Sequence, residues 1–239
     1  MPAIKRLPVE RALLVKQFFF RFIQLVGGIF LFAVGIVFVL NANIGYAPWD
    51  AFHVGISSTF GISIGTASVL TSCLILVTTA LLKEKIGVGT VLNGLMVGVF
   101  MDIILYLNII PTASGYLFGI IMQIFGLFIM ALGSYLYIKT GFGAGPRDGL
   151  MVAVTKLTPL PIGVCRSAIE LCAAAVGWLL GAKIGLGTLI SITLVGFCVQ
   201  ITFKAFKFDV TQVKHETLLQ TFMLLKQGYK PDAETAEQR

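Results

Sequence analysis

The segment Gly45-Tyr46-Ala47-Pro48-Trp49-Asp50 recurs 98 positions later as Gly143-Ala144-Gly145-Pro146-Arg147-Asp148. The same shift superposes the surrounding chain without a gap. Gly28 falls on Gly126, Gly35 on Gly133, Gly65 on Gly163 and Gly98 on Gly196. Lys85-Ile86-Gly87-Val88-Gly89-Thr90 falls on Lys183-Ile184-Gly185-Leu186-Gly187-Thr188. Ungapped matches of this kind mark a tandem duplication, covering 18–109 and 116–207, with 110–115 as the link. Whatever unit one half forms, the other half must form too, and the two must share a core.

The solvent for that core follows from composition. Apolar residues make up 57% of the chain and charged residues 12%, with a mean hydropathy of +0.93. A soluble domain carries about 25% charged residues. Long apolar runs recur from Phe18 to Phe203. The expectation is an all-α polytopic membrane protein. The net charge of +7 is not spread over a face that nucleic acid would need; it sits at the chain ends and in short loops, as topology signals do. Cys73, Cys165, Cys172 and Cys198 lie in apolar runs without CxxC spacing, which argues against a zinc site or a disulfide framework. The basic lead-in resembles a signal peptide, but the apolar run behind it is too long and has an internal twin, so it is expected to be retained.

Residues 1–17 read as a basic cytoplasmic segment, followed by a span at 18–42 near whose start Arg21 can snorkel. A short helix follows the first motif, then spans at 63–82 and 88–109. The second half repeats this plan with a span at 116–139, a short helix at 146–158, and spans at 161–181 and 186–203. Residues 208–239 read as a cytoplasmic tail with a short amphipathic helix and a disordered last ten residues. The short helices have too few residues for the roughly 20 that a span needs. If they are re-entrant, Lys5, Arg6, Arg11, Lys16, Lys83, Lys85, Lys139, Lys204 and Lys207 share the cytoplasmic side and Lys183 alone lies outside. If they cross, Lys83, Lys85, Lys139, Arg147 and Lys183 are exported. The positive-inside rule favours six spans, with both termini cytoplasmic. Three spans per half make the two repeats antiparallel, the inverted-repeat plan of many secondary transporters.

Pro at the start of a helix, with Asp two residues on, is a helix-start signature: Pro48 and Pro146 need no N–H there, and Asp50 and Asp148 face the positive dipole end. The same feature also marks a backbone break, which is tolerated at membrane depth only inside the protein or along a cavity. The first short helix carries Asp50, His53 and Ser57 on one face, and the second carries Asp148, Met151 and Thr155 at the twin places. His53 titrates near neutral pH, so His53 and Asp50 are the candidate proton-coupling pair. Arg166 and Glu170 stand at i, i+4 inside a span where the twin half has Ser68 and Ser72. They form either a self-neutralising pair or, with Arg147, part of a site for an anionic group. Asp102 has Gln200 as its twin and Asn93 has Ser191. The candidate substrate-binding set is therefore Asp50, Asp148, Arg147, Arg166, Glu170, Asp102 and Asn93. Gly89-Thr90 and Gly187-Thr188 read as turns, and with Pro48 and Pro146 they are structural motif residues. Metal ligands, an enzymic nucleophile–base pair and a phosphate loop are not found, so neither a cofactor nor catalysis is expected.

The Gly-x-x-Pro-x-Asp motifs, the Gly-x-Gly-Thr turns and the repeat layout over 18–207 resemble the YczE/YyaS/YitT family of bacterial integral membrane proteins. The segment Gly143-Ala144-Gly145-Pro146-Arg147-Asp148-Gly149-Leu150-Met151 is the most specific part, and the short tail is similar to the YczE branch. The resemblance implies a bacterial inner-membrane protein and points toward a transporter, with no known substrate. The function expected is secondary transport of a small polar or charged molecule, coupled to a proton. The rival expectation is a membrane scaffold or accessory protein acting through its tail. The partners expected are the lipid bilayer, the unidentified substrate and a proton, not nucleic acid; a homo-oligomer is compatible with the sequence.

Overall fold

The computed structural model describes residues 7–160, 162–213 and 215–227. The expected disordered last ten residues lie outside them, as does part of the basic lead-in. The described chain is helical: α1 Leu7–Asn41, α2 Pro48–Phe60, α3 Ile64–Leu81, α4 Val88–Leu107, α5 Tyr116–Lys139, α6 Pro146–Leu157, α7 Ile162–Leu179, α8 Leu186–Ala205 and α9 Leu218–Gln227. Five stretches are long and apolar enough to cross a membrane by length and composition: Lys16–Asn41, Ile64–Leu81, Val88–Leu107, Tyr116–Lys139 and Leu186–Ala205. The remaining long helix, α7, has 18 residues and carries the Arg166–Glu170 pair. The first helix starts at Leu7 rather than near residue 18. At 1.5 Å per residue it is about 50 Å long, so it outreaches a hydrocarbon layer of about 30 Å.

The short helices begin and end as their sequences dictate. Ala47 and Gly145 hold extended conformations, and Pro48 and Pro146 then open α2 and α6. Gly61 closes α2 in the left-handed conformation at φ 66°, its N–H donating to Ser57 O. Gly-x-Gly-Thr opens both α4 and α8. The Thr90 hydroxyl oxygen accepts from the Gly87 N–H at 3.3 Å, and that of Thr188 accepts from the Gly185 N–H at 3.2 Å. Each threonine thus satisfies a donor at the helix entry.

The centre of the molecule is the crossing of α1 with α5, the twin helices of the two halves. Gly28 lies on the backbone of Gly133 and Tyr137, while Gly35 lies on Gly126 and Met130, so the two helices run antiparallel. A Cβ at Gly28, Gly35, Gly126 or Gly133 would meet its nearest neighbour at 2.6–2.9 Å, closer than real Cβ atoms come. The crossing exists because all four are glycine. Around it α4 packs on α1 and α8 on α5, α2 packs on α7 and α3, and α6 packs on α3 and α7.

Each half also holds the other half's break. The loop before α2 has Gly45 at φ 117° and the loop before α6 has Gly143 at φ 125°, a region that favours glycine. Carbonyls in such loops need partners if no water reaches them. Ile44 O accepts from the Gly187 N–H at 2.8 Å, Tyr46 O accepts from the Thr188 hydroxyl at 2.6 Å, and the twin carbonyl Phe142 O accepts from the Gly89 N–H at 2.8 Å. The Gly-x-Gly-Thr segments, expected as turns, are instead the caps and first residues of α4 and α8, and they are docking cradles for the loops before α6 and α2. The absence of a side chain at Gly87, Gly89, Gly185 and Gly187 is what lets the loops in.

One relation between the halves is unequal. α3 lies along α4, with Gly65 backbone against Gly98 backbone. The twins Gly163 and Gly196 would have open space beside an added Cβ, and α7 does not pack along α8.

Beyond α8 the chain folds back. The Glu216 N–H donates to Gly141 O at 2.8 Å and the Leu218 N–H donates to Ile86 O at 3.0 Å. The Glu216 carboxylate accepts from Arg21 at 2.7 Å. Arg21 also donates twice to Thr140 O, at 3.0 and 2.6 Å, and lies over the Phe142 ring. Arg21 thus does more than snorkel: it ties the start of α1 to the end of α5 and to the tail.

Candidate functional site: a cavity between the two halves

The loops before α2 and α6 bring both helix N-termini to one cavity of about 450 Å³. Its walls are built largely from twin positions of the duplication. Pro48 and Pro146, Asp50 and Asp148, Trp49 and Arg147, Ser68 and Arg166, Ser72 and Glu170, and Asn93 and Ser191 all line it. Helices α3 and α7 supply the serines and the Arg–Glu pair, while α4 and α8 supply Asn93 and Ser191.

Arg166 and Glu170 bond to each other at 3.0 Å, with side chains 50% and 20% exposed, so part of their charge is satisfied internally. Asp50 is 2% exposed and its Oδ2 has no hydrogen-bond partner among the described residues; Asn93 is 7% exposed and its Nδ2 has none among them either. The Arg147 guanidinium sits 5.0 Å from the centre of the Trp49 ring, a cation–π contact between twin residues. Arg147 makes no hydrogen bond and no ion pair to a described residue. Asp148, Asn93 and Tyr137 converge beside Gly145, where an added Cβ would touch all three at 3.4–3.6 Å.

Six of the residues singled out in the sequence as substrate-binding thus meet in one place: Asp50, Asn93, Arg147, Asp148, Arg166 and Glu170. Two candidates lie elsewhere. Asp102 closes the α3–α4 seam, accepting from the Gly65 N–H at 2.8 Å and from the Ser63 hydroxyl. His53 is 1% exposed, sits beside Trp49 and Phe52 rather than on the cavity wall, and has no hydrogen-bond partner among the described residues at either ring nitrogen.

The sequence reading did not single out Trp49, Tyr137, Gln123 or His215. Gln123 is fully buried and donates to Gly187 O at 3.0 Å and to the Ser191 hydroxyl at 2.6 Å, fixing the start of α8 against α5. Its twin is Leu25, so a polar residue replacing an apolar one inside a span was the available signal. Trp49 could have been found as the twin of Arg147. His215 reaches the cavity wall from beyond α8, which no local pattern announces.

Five lipid-length apolar helices around a cavity lined in part by charged side chains define a multi-pass α-helical membrane protein. The chain belongs to the YczE-like family of membrane proteins: residues 19–204 match the model described as a family of unknown function, DUF6198. It is 32% identical over 177 residues to the uncharacterized membrane protein YczE of Bacillus subtilis, covering 73% of this chain and 81% of that one. An uncharacterized protein of Haemophilus influenzae is 35% identical over 178 residues, covering 72% and 80%. The uncharacterized protein YyaS of Bacillus subtilis is 27% identical over 182 residues, covering 73% and 88%. No solved structure matches the chain.

Proposed function

We propose that this protein is a secondary transporter of a small polar or charged molecule in the bacterial inner membrane. In this reading it has six spans in two inverted repeats, α2 and α6 are re-entrant from opposite faces, and both termini are cytoplasmic. The observation that carries the proposal is the cavity itself, where two broken-helix N-termini meet between halves related by duplication. The antiparallel α1–α5 crossing is what an inverted relation requires. The unequal seams supply the conformational part. With the N-terminus cytoplasmic, the α3–α4 seam latched by Asp102 faces outward, and the gap between α7 and α8 faces the cytoplasm. A molecule whose halves can exchange these two arrangements exposes the cavity to each side in turn. Asp50 is the candidate carrier of the coupling proton, because it lines the cavity and His53 does not.

The rival reading, a scaffold acting through its tail, is less well supported, because residues 216–218 are bonded into the body of the molecule. The test is uptake and efflux of a candidate library in proteoliposomes, with and without a pH gradient. Two variants accompany it: one with Asp50→Asn and Asp148→Asn together, and one truncated after Lys207. Gradient-driven flux that the double substitution abolishes supports the proposal. Absence of flux for every compound, with function in cells lost only on truncation, supports the scaffold.

A further inference from the structure

The cavity holds unmatched charge of both signs. Its ionisable side chains are Asp50, Asp148, Glu170, Arg147 and Arg166, together with His215. Arg166 and Glu170 are bonded to each other, so their opposite charges offset in the count. That leaves two carboxylates, one guanidinium and the His215 imidazole. Asp50 is buried with an oxygen that accepts nothing, and Arg147 donates to no described residue, although the two lie within electrostatic reach. Arg147 is held on the face of Trp49 rather than on a carboxylate. Asp50 is buried and Arg147 half-buried; a charge withdrawn from water without a hydrogen-bonding partner is costly, and a site that keeps one of each sign apart is built for a ligand that brings both. Asn93 Nδ2 adds a further buried donor without a partner on the same wall.

The wider field sets the ligand's net charge. After the internal pair is removed and with the His215 imidazole neutral, the side chains leave one excess negative charge. Helices α2 and α6 both begin at the cavity, and each N-terminus acts as roughly half a positive charge. The two ends offset the excess, so the cavity is close to neutral while strongly dipolar. An anion alone would leave Asp50 without a donor, and a cation alone would leave Arg147 without an acceptor.

Resting on the transport reading, we infer that the ligand is a small zwitterion in which a protonated amine and a carboxylate lie within one short molecule. Its ammonium donates to Asp50 Oδ2. Its carboxylate receives the Arg147 fork and the Asn93 amide, with Trp49 bracing the guanidinium from behind.

Binding tests this without requiring transport. The purified full chain in lipid nanodiscs is titrated by calorimetry with three matched series: leucine, isoamylamine and 4-methylpentanoate; serine, ethanolamine and 3-hydroxypropionate; and γ-aminobutyrate, butylamine and butyrate. At least one zwitterion should bind, and its amine-only and acid-only analogues should bind at least 30-fold more weakly. Asp50→Asn and Arg147→Gln should each weaken that zwitterion about 10- to 100-fold, the range for a lost hydrogen bond to a charged group. The wild-type comparison across each series stands even if a variant does not fold. An analogue with one charge binding as tightly as its zwitterion overturns the inference, as does no binding by any zwitterion at 10 mM. A zwitterion that binds but is not moved by proteoliposomes supports the ligand class and refutes transport. Transport of anions alone refutes the ligand class and leaves transport standing.

Discussion

Gly98 and Gly196 are twins in the duplication, both in the interior of a helix, yet the same substitution should act on them in opposite directions. A methyl at Gly98 would run into the Gly65 carbonyl and the Val69 side chain. Overpacking of this kind costs about 1–3 kcal/mol. Replacing glycine by alanine inside a helix returns about 0.5–1 kcal/mol. The Gly98→Ala protein should therefore lose up to about 2.5 kcal/mol. A methyl at Gly196 meets nothing within 4 Å, so Gly196→Ala keeps only the helical gain of about 0.5–1 kcal/mol. The twins should differ by about 1–3 kcal/mol, equivalent to a separation of about 2–12 °C in unfolding midpoint for a chain of this size. The assay is thermal unfolding of both variants in the same detergent, followed by tryptophan fluorescence. In proteoliposomes the more stable Gly196→Ala protein should nevertheless transport less, because the added methyl would obstruct closure of the α7–α8 seam. Equal midpoints for the two variants would refute the reasoning, since the two seams would then be equally tight in the dominant state.

The docking of each break on the opposite half gives a second prediction. Thr188→Val removes the hydroxyl that serves both Tyr46 O and the Gly185 N–H, and should destabilise the protein by about 1–3 kcal/mol, read as a lowered unfolding midpoint. Gln123→Leu copies the twin residue Leu25; it should cost at least as much because it strips the Gly187 carbonyl and the Ser191 hydroxyl of a donor, and a neutral result would count against the cradle. At the other end, Arg21→Met keeps the apolar stem but releases Thr140 O and Glu216. Limited proteolysis should then cut the segment beyond Lys207 faster in Arg21→Met than in the wild type, and unchanged cleavage would show that the tail does not depend on this tie.

Much of this architecture was legible because the 98-residue sequence match presents most features twice. Pro48 and Pro146 start their helices where the sequence places them, since proline at a helix start is a local rule. The convergence of Asp50, Asp148, Arg147 and Asn93 on one cavity is in keeping with polar and ionisable groups between apolar runs facing inward. The span expected at 18–42 agrees with the lipid-length run Lys16–Asn41, but α1 begins earlier, at Leu7, because the preceding Val9-Glu10-Arg11-Ala12-Leu13-Leu14 contains good helix formers and extends the helix past that run. The part played by Gly-x-Gly-Thr was half legible. Its helix-capping role is local, but its partner lies in the other half of the chain. Asp102 looked like a cavity residue because an intramembrane carboxylate usually is one. In fact it satisfies the start of α3, and sequence does not reveal which way a helical face turns within a bundle.

The account stands on the two halves being upside down relative to one another. Single cysteines at Phe60, the end of α2, and at Leu160, just beyond α6, test this directly once Cys73, Cys165, Cys172 and Cys198 are replaced by alanine. Both positions are exposed, at 70% and 47%. Labelling with a membrane-impermeant maleimide on intact and on permeabilised spheroplasts should modify Phe60→Cys from outside in intact cells and Leu160→Cys only after permeabilisation. Modification of both from the same side would contradict the inverted arrangement and, with it, the shared cavity opened alternately to each face.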